Sequence, residues 1–476
     1  MKKDLKILSV DLDGTLIKSD LLYESFWSAF ANDLLIPFKA LFALIKGKAF
    51  LKEMLFYSSS IDIKSLPYNY AVIEYINLHR SNGGKVALVT ASNEKLAKII
   101  SKHLNLFDEV YGSSSIINLK GLAKAKLQEL KFGEGNFDYI GNSMADLQSW
   151  GISNKAITFN ASKLVKRKCE LCNKNTLHLL EKGDYNFLAS FIKEIRPYQW
   201  IKNILVFIPL IAAQKFNFTL IFQALLAFIA FSSTASSVYI FNDLLDIKAD
   251  RNHPKKCRRP LAAGDLSLSL GSILGVFLLL IGSTFGFIIG GWFPIFLLIY
   301  YSIAVFYSIY LKRKALLDIF VLSVLYTIRL VSGGIANNLE ISFWLFAFST
   351  FIFLSLASIK RQSELIDLIK RGKNKIENRG YKKSDLYFIR AFAICSGMIS
   401  SLVLALYINS PKVLDTYSNP QFLWISCCLF LFWIIRVCFK TERGEMEYDP
   451  IIFALKDRTS RLIFGIIVLL TIFSKI

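Results

Sequence analysis

From about residue 200 onward the sequence is a train of apolar windows, each close to the ~20 residues that cross a bilayer as a helix. They fall near 203–216, 219–241, 268–290, 292–311, 316–336, 342–359, 386–408, 420–438 and 459–475. Inside lipid the backbone must satisfy its own polar groups. The pattern therefore predicts an all-α polytopic bundle of about nine transmembrane helices. Basic residues set its orientation. Loops 242–267, 312–315, 360–385 and 439–458 are rich in Lys and Arg, and the alternate loops 217–218, 291, 337–341 and 409–419 carry almost none. With about nine spans every basic loop lies on the side of the N-terminal segment, the expected cytoplasmic face of a bacterial inner membrane. Residues 1–190 have the composition of a soluble chain. The net charge of +21 fits basic loops against lipid headgroups, and no nucleic-acid-binding motif accompanies it.

The stretch Tyr239 to Gly264, YIFNDLLDIKADRNHPKKCRRPLAAG, breaks the apolar pattern. Asp243, Asp246 and Asp250 are spaced i, i+3, i+7, which on a helix puts all three on one face. Acids gathered at the end of an apolar helix are costly unless something neutralises them. A divalent cation such as Mg2+ does so and suits phosphate-bearing substrates. Arg251, His253, Lys255, Lys256, Arg258 and Arg259 follow, a supply of donors for phosphate oxygens. A solvated loop explains the bases but not the acids in helical register.

A second polar stretch, Tyr307 to Gly334, has Lys312 and Lys314 at the membrane edge and Asp318 and Arg329 inside an apolar window. Eleven residues of helix separate the last two by roughly 16 Å. That argues against a mutual ion pair and for a shared face on the cavity of the first stretch. Lys360-Arg361-Gln362-Ser363-Glu364, Asp449-Pro450 and Asp457-Arg458 either line the same mouth or are solvated faces.

In the N-terminal segment Leu5 to Val10 is a buried strand that ends in Asp11-Leu12-Asp13-Gly14-Thr15. Lys85 to Val89 runs into Thr90-Ala91-Ser92, and Phe137 to Ile140 into Gly141-Asn142-Ser143-Met144-Ala145-Asp146. Helical patterns fall between them. Polar groups at three strand ends predict one site on a doubly wound α/β sheet. Leu34 to Leu55 is apolar with lysines at intervals, and suits either a helix pair packed on that core or an interfacial helix reaching lipid. Cys169 and Cys172 form a single C-x-x-C near His178. A structural zinc site needs four ligands, so the pair reads as incidental. No cleavable signal is expected at the N-terminus.

D-x-D-G-T, a strand ending in Thr, a Lys and G-N-S-x-x-D resemble the four motifs of the haloacid dehalogenase (HAD) superfamily, mainly phosphatases, over about residues 5–160. The resemblance implies that Asp11 is the nucleophile and Asp13 the general acid/base. It also implies that Thr90 holds the phosphoryl group, Lys124 neutralises it, and Asp146 joins Asp11 and Asp13 in binding magnesium. Asn142 stands where many members carry an acid, which lowers the expected metal affinity. A domain kept for folding or docking is the alternative. Residues 17–68 would be a helical cap, 161–193 a basic linker, and 194–476 a second domain.

That second domain resembles the UbiA superfamily of intramembrane prenyltransferases through N-D-x-x-D-x-x-x-D followed by R-P-L-x-x-G. Within it, R-P-Y-Q-W-I-K-N at 196–203, D-R-N-H-P-K-K-C-R-R-P at 250–260, and Y-S-x-x-L-K with L-D-I-F and I-R at 307–329 are similar to decaprenyl-phosphate phosphoribosyltransferases. The resemblance implies a magnesium-dependent transfer of phosphoribose from phosphoribosyl pyrophosphate to a polyprenyl phosphate. Asn242, Asp243, Asp246 and Asp250 would hold the metal, and Arg251, Lys256 and Arg259 the leaving pyrophosphate. Lys312 and Arg329 would hold the 5-phosphate or the lipid phosphate, with Asp318 a further substrate-binding residue. Asp318 has no partner acid at i±4, unlike the second paired-carboxylate motif of ordinary prenyl transferases. The fused HAD-like domain is then expected to dephosphorylate the product. The alternatives are prenyl transfer to an aromatic or other acceptor, and a non-catalytic carrier or scaffold.

Overall fold

The computed structural model describes residues 5–180, 187–214, 217–370, 372, 379–411, 413, 417–446 and 449–474. They form two compact units, one of residues 1–195 with 240–274 and one of 196–239 with 275–476.

The first unit is built on a six-stranded, all-parallel sheet in the order β3-β2-β1-β4-β5-β6. The strands are β1 (Ile7–Val10), β2 (Val86–Asn93), β3 (Glu109–Ser113), β4 (Phe137–Gly141), β5 (Lys155–Phe159) and β6 (Thr176–Leu179). Leu8, Val10, Leu88, Val89, Ile140 and Ile157 are fully buried, because a parallel sheet is covered on both faces. β2 and β4 flank β1 on opposite sides, so the strand order reverses at β1. In open α/β sheets that reversal makes a crevice beyond the strands' C-terminal ends.

The helices α1 (Leu21–Asn32), α2 (Ile36–Ile45) and α3 (Lys48–Ser58) follow β1. They leave and rejoin the sheet layer at one place, where Ile17 bridges Tyr68. Next come α4 (Tyr70–Ser81), α5 (Glu94–Leu104), α6 (Leu122–Phe132), α7 (Leu147–Ile152), α8 (Lys163–Cys172) and α9 (Phe187–Ile195). Residues 163–179, expected in a linker, instead supply α8 and the edge strand β6. Val165 and Cys169 of α8 are buried against Trp150 and Tyr139, so the lysine-rich composition marks only the exposed side of that helix.

Beyond α10 (Ile208–Ala213) lie α11 (Phe218–Leu245), α12 (Ile247–Arg251), α13 (Pro260–Ala263), α14 (Leu268–Ile289), α15 (Phe293–Ile309), α16 (Leu317–Ala336), α17 (Phe343–Lys370) and α18 (Leu386–Ile408). The last are α19 (Gln421–Glu442), α20 (Pro450–Lys456) and α21 (Arg458–Phe473). Among the described residues six helices are long and apolar enough to cross a membrane: α11, α14, α16, α17, the helix containing α18, and α19. Three expected windows differ. The windows at 292–311 and 459–475 form the shorter helices α15 and α21. The window at 203–216 forms the end of a 3-10 segment, Pro197–Phe207, and then the six-residue α10. Pro197 and Pro209 begin these two pieces, and neither can donate a backbone hydrogen bond within a longer helix. At Gly333 the backbone of α16 approaches that segment so closely that a Cβ would stand 2.0 Å from the Val206 carbonyl oxygen.

Candidate active sites

The end of β1 carries the first site. Asp11 lies just past the strand, its N–H donating to the Ile140 carbonyl at 3.0 Å. Lys124 of α6 donates to Asp11 Oδ1 at 2.7 Å, to the Tyr139 hydroxyl at 2.9 Å and to Asp146 Oδ1 at 3.2 Å. Asp13 accepts from the Leu21 N–H at 2.9 Å and from Ser92 Oγ at 2.6 Å. Thr90 is buried and receives the Ser92 N–H at 3.0 Å. Four expected residues from three strand ends, and Lys124 from α6, are thus brought together. Gly14 has a φ of +71° and a Cβ there would meet Asn142 Nδ2 at 2.2 Å, so only glycine lets Asn142 close over the turn.

Burial pushes Asp11 up to about 6 against the pull of Lys124. Burial, then Asp20 and Asp11, push Asp13 up to about 7. Asp146 goes the other way: burial raises it, but Lys124, Tyr139 and Ser143 outweigh that and hold it below the usual range. Its Oδ1 accepts from Lys124 and Tyr139, and its Oδ2 from Asn142 N, Ser143 N and Ser143 Oγ. Asp146 therefore positions Lys124 and the turn from behind, with both oxygens engaged.

Two residues here escaped the reading of the sequence. Lys52 of α3 donates to the Ala91 carbonyl and, at 2.8 Å, to Asn118 Oδ1, which hangs a cation over the β2 turn. It lies in an apolar stretch judged by its hydrophobic residues. Tyr139 looked like strand packing, yet its hydroxyl ties Lys124 to Asp146.

The second site is the acidic hairpin of the same unit. Asn242 and Asp243 close α11, Asp246 caps α12, and Asp250 lies within α12. The i+4 hydrogen bonds run through the break, from Asp246 N to Asn242 O and from Asp250 N to Asp246 O, so helical register persists. Arg259 Nη1 lies 2.9 Å from Asp243 Oδ1 and 2.5 Å from Asp250 Oδ2, and Lys256 Nζ 3.7 Å from Asp250 Oδ1. Asp243 and Asp250 are buried, and burial raises Asp250 despite Arg259. Arg251, expected to face phosphate, is committed elsewhere. Its Nη1 and Nη2 donate to the Glu24 carboxylate of α1 at 3.1 and 2.6 Å, and its Nε to the Ala262 carbonyl at 3.1 Å.

The described residues contain no group of three His, Cys, Asp or Glu side chains arranged as they stand to hold a metal ion. The donor chemistry nevertheless suits magnesium in both places. Oxygen donors predominate, and in the hairpin two buried carboxylates converge on a single cationic nitrogen, as a hard cation requires. The C-x-x-C offers nothing comparable. Burial pushes Cys169 up to about 12, and His178 is engaged by Thr158 and Glu170.

The second unit holds two buried charge clusters. In the first, Lys202 Nζ lies 2.6 Å and Lys360 Nζ 3.3 Å from Asp449 Oδ2. Arg329 stacks over Tyr300 and Tyr326 and donates to Asn203 Oδ1 at 2.8 Å and to the Tyr300 hydroxyl at 2.6 Å. Lys202 also approaches the Tyr326 ring, at 5.9 Å. In the second cluster Asp318 accepts from Arg361, from the Tyr307 hydroxyl at 2.6 Å and from Arg379 at 3.3 Å, and Arg361 also pairs with Glu364. Asp318 and Arg329, expected to share one cavity, belong to different clusters. Lys312 is buried as well.

The matches with known proteins divide the chain by sequence, and the UbiA match takes in the hairpin 240–274 of the first unit. Residues 9–149 match the haloacid dehalogenase-like hydrolase model, and residues 204–443 match that of the UbiA prenyltransferase family. The chain belongs to the UbiA prenyltransferase family. It carries an N-terminal HAD domain as well, so both halves are of enzyme families. An uncharacterized protein of Sinorhizobium fredii, y4nM, is 34% identical over 97% of this chain and 89% of its own length. The decaprenyl-phosphate phosphoribosyltransferase of Mycobacterium tuberculosis is 30% identical over 58% of this chain and 91% of its own. A solved UbiA homolog from Archaeoglobus fulgidus, bound to GPP and Mg2+, covers 59% of this chain and 99% of its own, with a TM-score of 0.45 and 14% identity. This UbiA-family chain is thus an integral membrane enzyme with a HAD domain at its N-terminus.

Proposed function

We propose that the UbiA half transfers phosphoribose from phosphoribosyl pyrophosphate to a polyprenyl phosphate, and that the HAD half removes the 5-phosphate from the product, both on the cytoplasmic side of a bacterial inner membrane. The observation that carries the reading is the contrast between the two buried clusters. Asp318 is saturated by Arg361, Arg379 and Tyr307, so it has no capacity left to serve as a second metal-binding acid. Lys202, Arg329 and Lys360, opposed by Asp449, instead form a cationic surplus suited to a second phosphate. The name of the mycobacterial relative points the same way.

In the transfer an oxygen of the acceptor phosphate attacks C1 of the ribose. The bond from C1 to the pyrophosphate oxygen breaks, and pyrophosphate leaves with the electron pair. Asn242, Asp243, Asp246 and Asp250 would hold magnesium, which supplies charge neutralisation at the diphosphate. Lys256 and Arg259, both partly exposed, receive the developing negative charge. Arg251 holds the hairpin through Glu24.

In the HAD half the Asp11 carboxylate attacks phosphorus and the ester oxygen departs, taking a proton from Asp13. Water, deprotonated by Asp13, then releases phosphate from Asp11. Lys124 stabilises the phosphoryl oxygens and Thr90 holds them. Asp11, with Asp13 and the Asn142 turn, would hold magnesium, while Asp146 fixes Lys124. Family membership by itself favours prenyl transfer from a prenyl diphosphate as the second reading.

The test supplies labelled phosphoribosyl pyrophosphate, a polyprenyl phosphate and magnesium to membranes containing the full chain. Label entering lipid with wild type and lost in Asp246→Asn supports phosphoribosyl transfer. A lipid-linked 5-phosphate that accumulates only in Asp11→Asn assigns the HAD domain its step. Turnover of a prenyl diphosphate with no incorporation from phosphoribosyl pyrophosphate overturns the reading.

A further inference from the structure

Helix α2 is amphipathic in the inverted sense. Ile36 and Ala43 are buried, in a cluster with Ala29, Leu51 and Leu55. The outward side carries Leu34 (52% exposed), Phe38 (65%), Leu41 (61%) and Ile45 (78%), at i, i+4, i+7 and i+11, with Leu35 and Phe42 beside them. At 100° per residue these six fall within one stripe. Lys39 and Lys46 border it, Lys48 opens α3, and Lys46 Nζ lies 5.2 Å from the exposed Phe50 ring. A contiguous apolar face of this kind is rare on a soluble surface and marks an interaction site.

What covers it follows from the neighbouring helix. α1 runs into α2 through three residues, 33–35. Trp27 and Phe30 of α1 pack edge-on against Phe241, in the last turns of the membrane helix α11, at 5.4 and 5.7 Å. Trp27 Nε1 also donates to Ser272 Oγ at 3.0 Å, near the start of the membrane helix α14. α1 is thus fastened to the ends of two membrane helices, where headgroups begin, and α2 continues from it. Lysines that border an apolar stripe bury their methylenes and keep their ammonium groups among anionic headgroups.

From this we infer that α2 is an interfacial membrane element, with Leu34, Phe38, Leu41, Phe42 and Ile45 among acyl chains and Lys39, Lys46 and Lys48 at anionic headgroups. The occupant is the bilayer rather than a second copy or a soluble partner. The next helix, α3, carries Lys52 to the Ala91 carbonyl near the end of β2, so the element that touches lipid is contiguous with the one that touches the HAD site. That arrangement favours phosphate esters presented at the membrane surface.

The experiment reconstitutes the full chain in phosphatidylglycerol–phosphatidylethanolamine vesicles with a lipid bearing a photoactivatable diazirine in its acyl chain, and maps adducts by peptide mass spectrometry. Residues 34–50 should be labelled at least about fivefold more than peptides holding Ile116 and Leu130, which are 88% and 82% exposed in the same unit. Joint replacement Phe38→Gln, Leu41→Gln, Phe42→Gln and Ile45→Gln should abolish that labelling and spare the peptides of α14 and α19. Lys39→Glu with Lys46→Glu and Lys48→Glu should reduce it. Labelling no greater than at Ile116 and Leu130, no response to either set of variants, or cross-links from this stretch to another copy of the chain would overturn the inference.

Discussion

The two buried charge clusters of the membrane unit are made of the same residue types and differ in balance. Around Asp318 two guanidiniums meet Asp318 and Glu364, a closed set that joins α15, α16 and α17. Around Asp449, Lys202 and Lys360 share one carboxylate, and Arg329 is stacked nearby over Tyr326 with no paired acid among the described residues. Burial is costly for both. Only the second retains charge that an incoming anion would satisfy. Net charge within a buried cluster, more than burial itself, therefore separates a structural clamp from a candidate phosphate seat.

The sharpest way to break this contrast is Arg361→Met. It leaves Asp318 buried and under-compensated, with an expected loss of about 3–5 kcal/mol of stability, measured as lost yield and a lowered Tm in detergent. Asp318→Leu added to Arg361→Met should recover most of it, because replacing a buried pair by apolar residues is near neutral. Removing a cation from the surplus cluster should act differently. With Lys360→Met, Asp449 keeps Lys202, so Tm should change little while label transfer falls about 10²–10³-fold. Equal damage to folding from both single variants would erase the distinction.

A smaller effect is expected at another buried pair, Glu24 with Arg251. Glu24→Gln should cost about 1–3 kcal/mol, read by thermal unfolding, and should lower lipid labelling although Glu24 touches no substrate. The smallest concerns pH. Burial raises Asp449, but Lys202 and Lys360 outweigh it and hold the carboxyl well below the usual range. A depressed folded-state value means that its contribution is present above the unfolded value of about 3.9 and is lost as pH falls through the folded one. Tm should therefore decline more steeply below about pH 4 in wild type than in Asp449→Asn.

What could be read from the sequence was what is local. A strand end with D-x-D-G-T, a Thr in the second half of β2 and a turn after β4 each carry their chemistry within a few residues, and the parallel sheet brings them together by topology alone. The aspartates of the hairpin were legible through their spacing, which survives the break at Asp246. Partners far apart in sequence were not. Nothing near Lys202 in the chain indicates Asp449, nor does Arg251 announce Glu24. Asp318 and Arg329 share a helix, yet contacts from other helices assign them to different clusters. The long apolar windows were right in kind, but the first of them is divided near Pro209 into shorter pieces. Composition also misled at 163–179, where lysines on one face of α8 conceal a helix packed on Trp150 and followed by a sixth strand.

The pairing of Glu24 with Arg251 and the packing of Trp27 on Phe241 also bear on how such a gene can evolve. The residues of the hairpin that lean on α1 would become exposed or under-compensated if the HAD segment were lost: Arg251 as a charge without its carboxylate and Phe241 as bare aromatic area. The fusion thus works as a ratchet. Once the hairpin has adapted to α1, separating the halves requires several compensating substitutions at once, and the two segments are inherited as one unit.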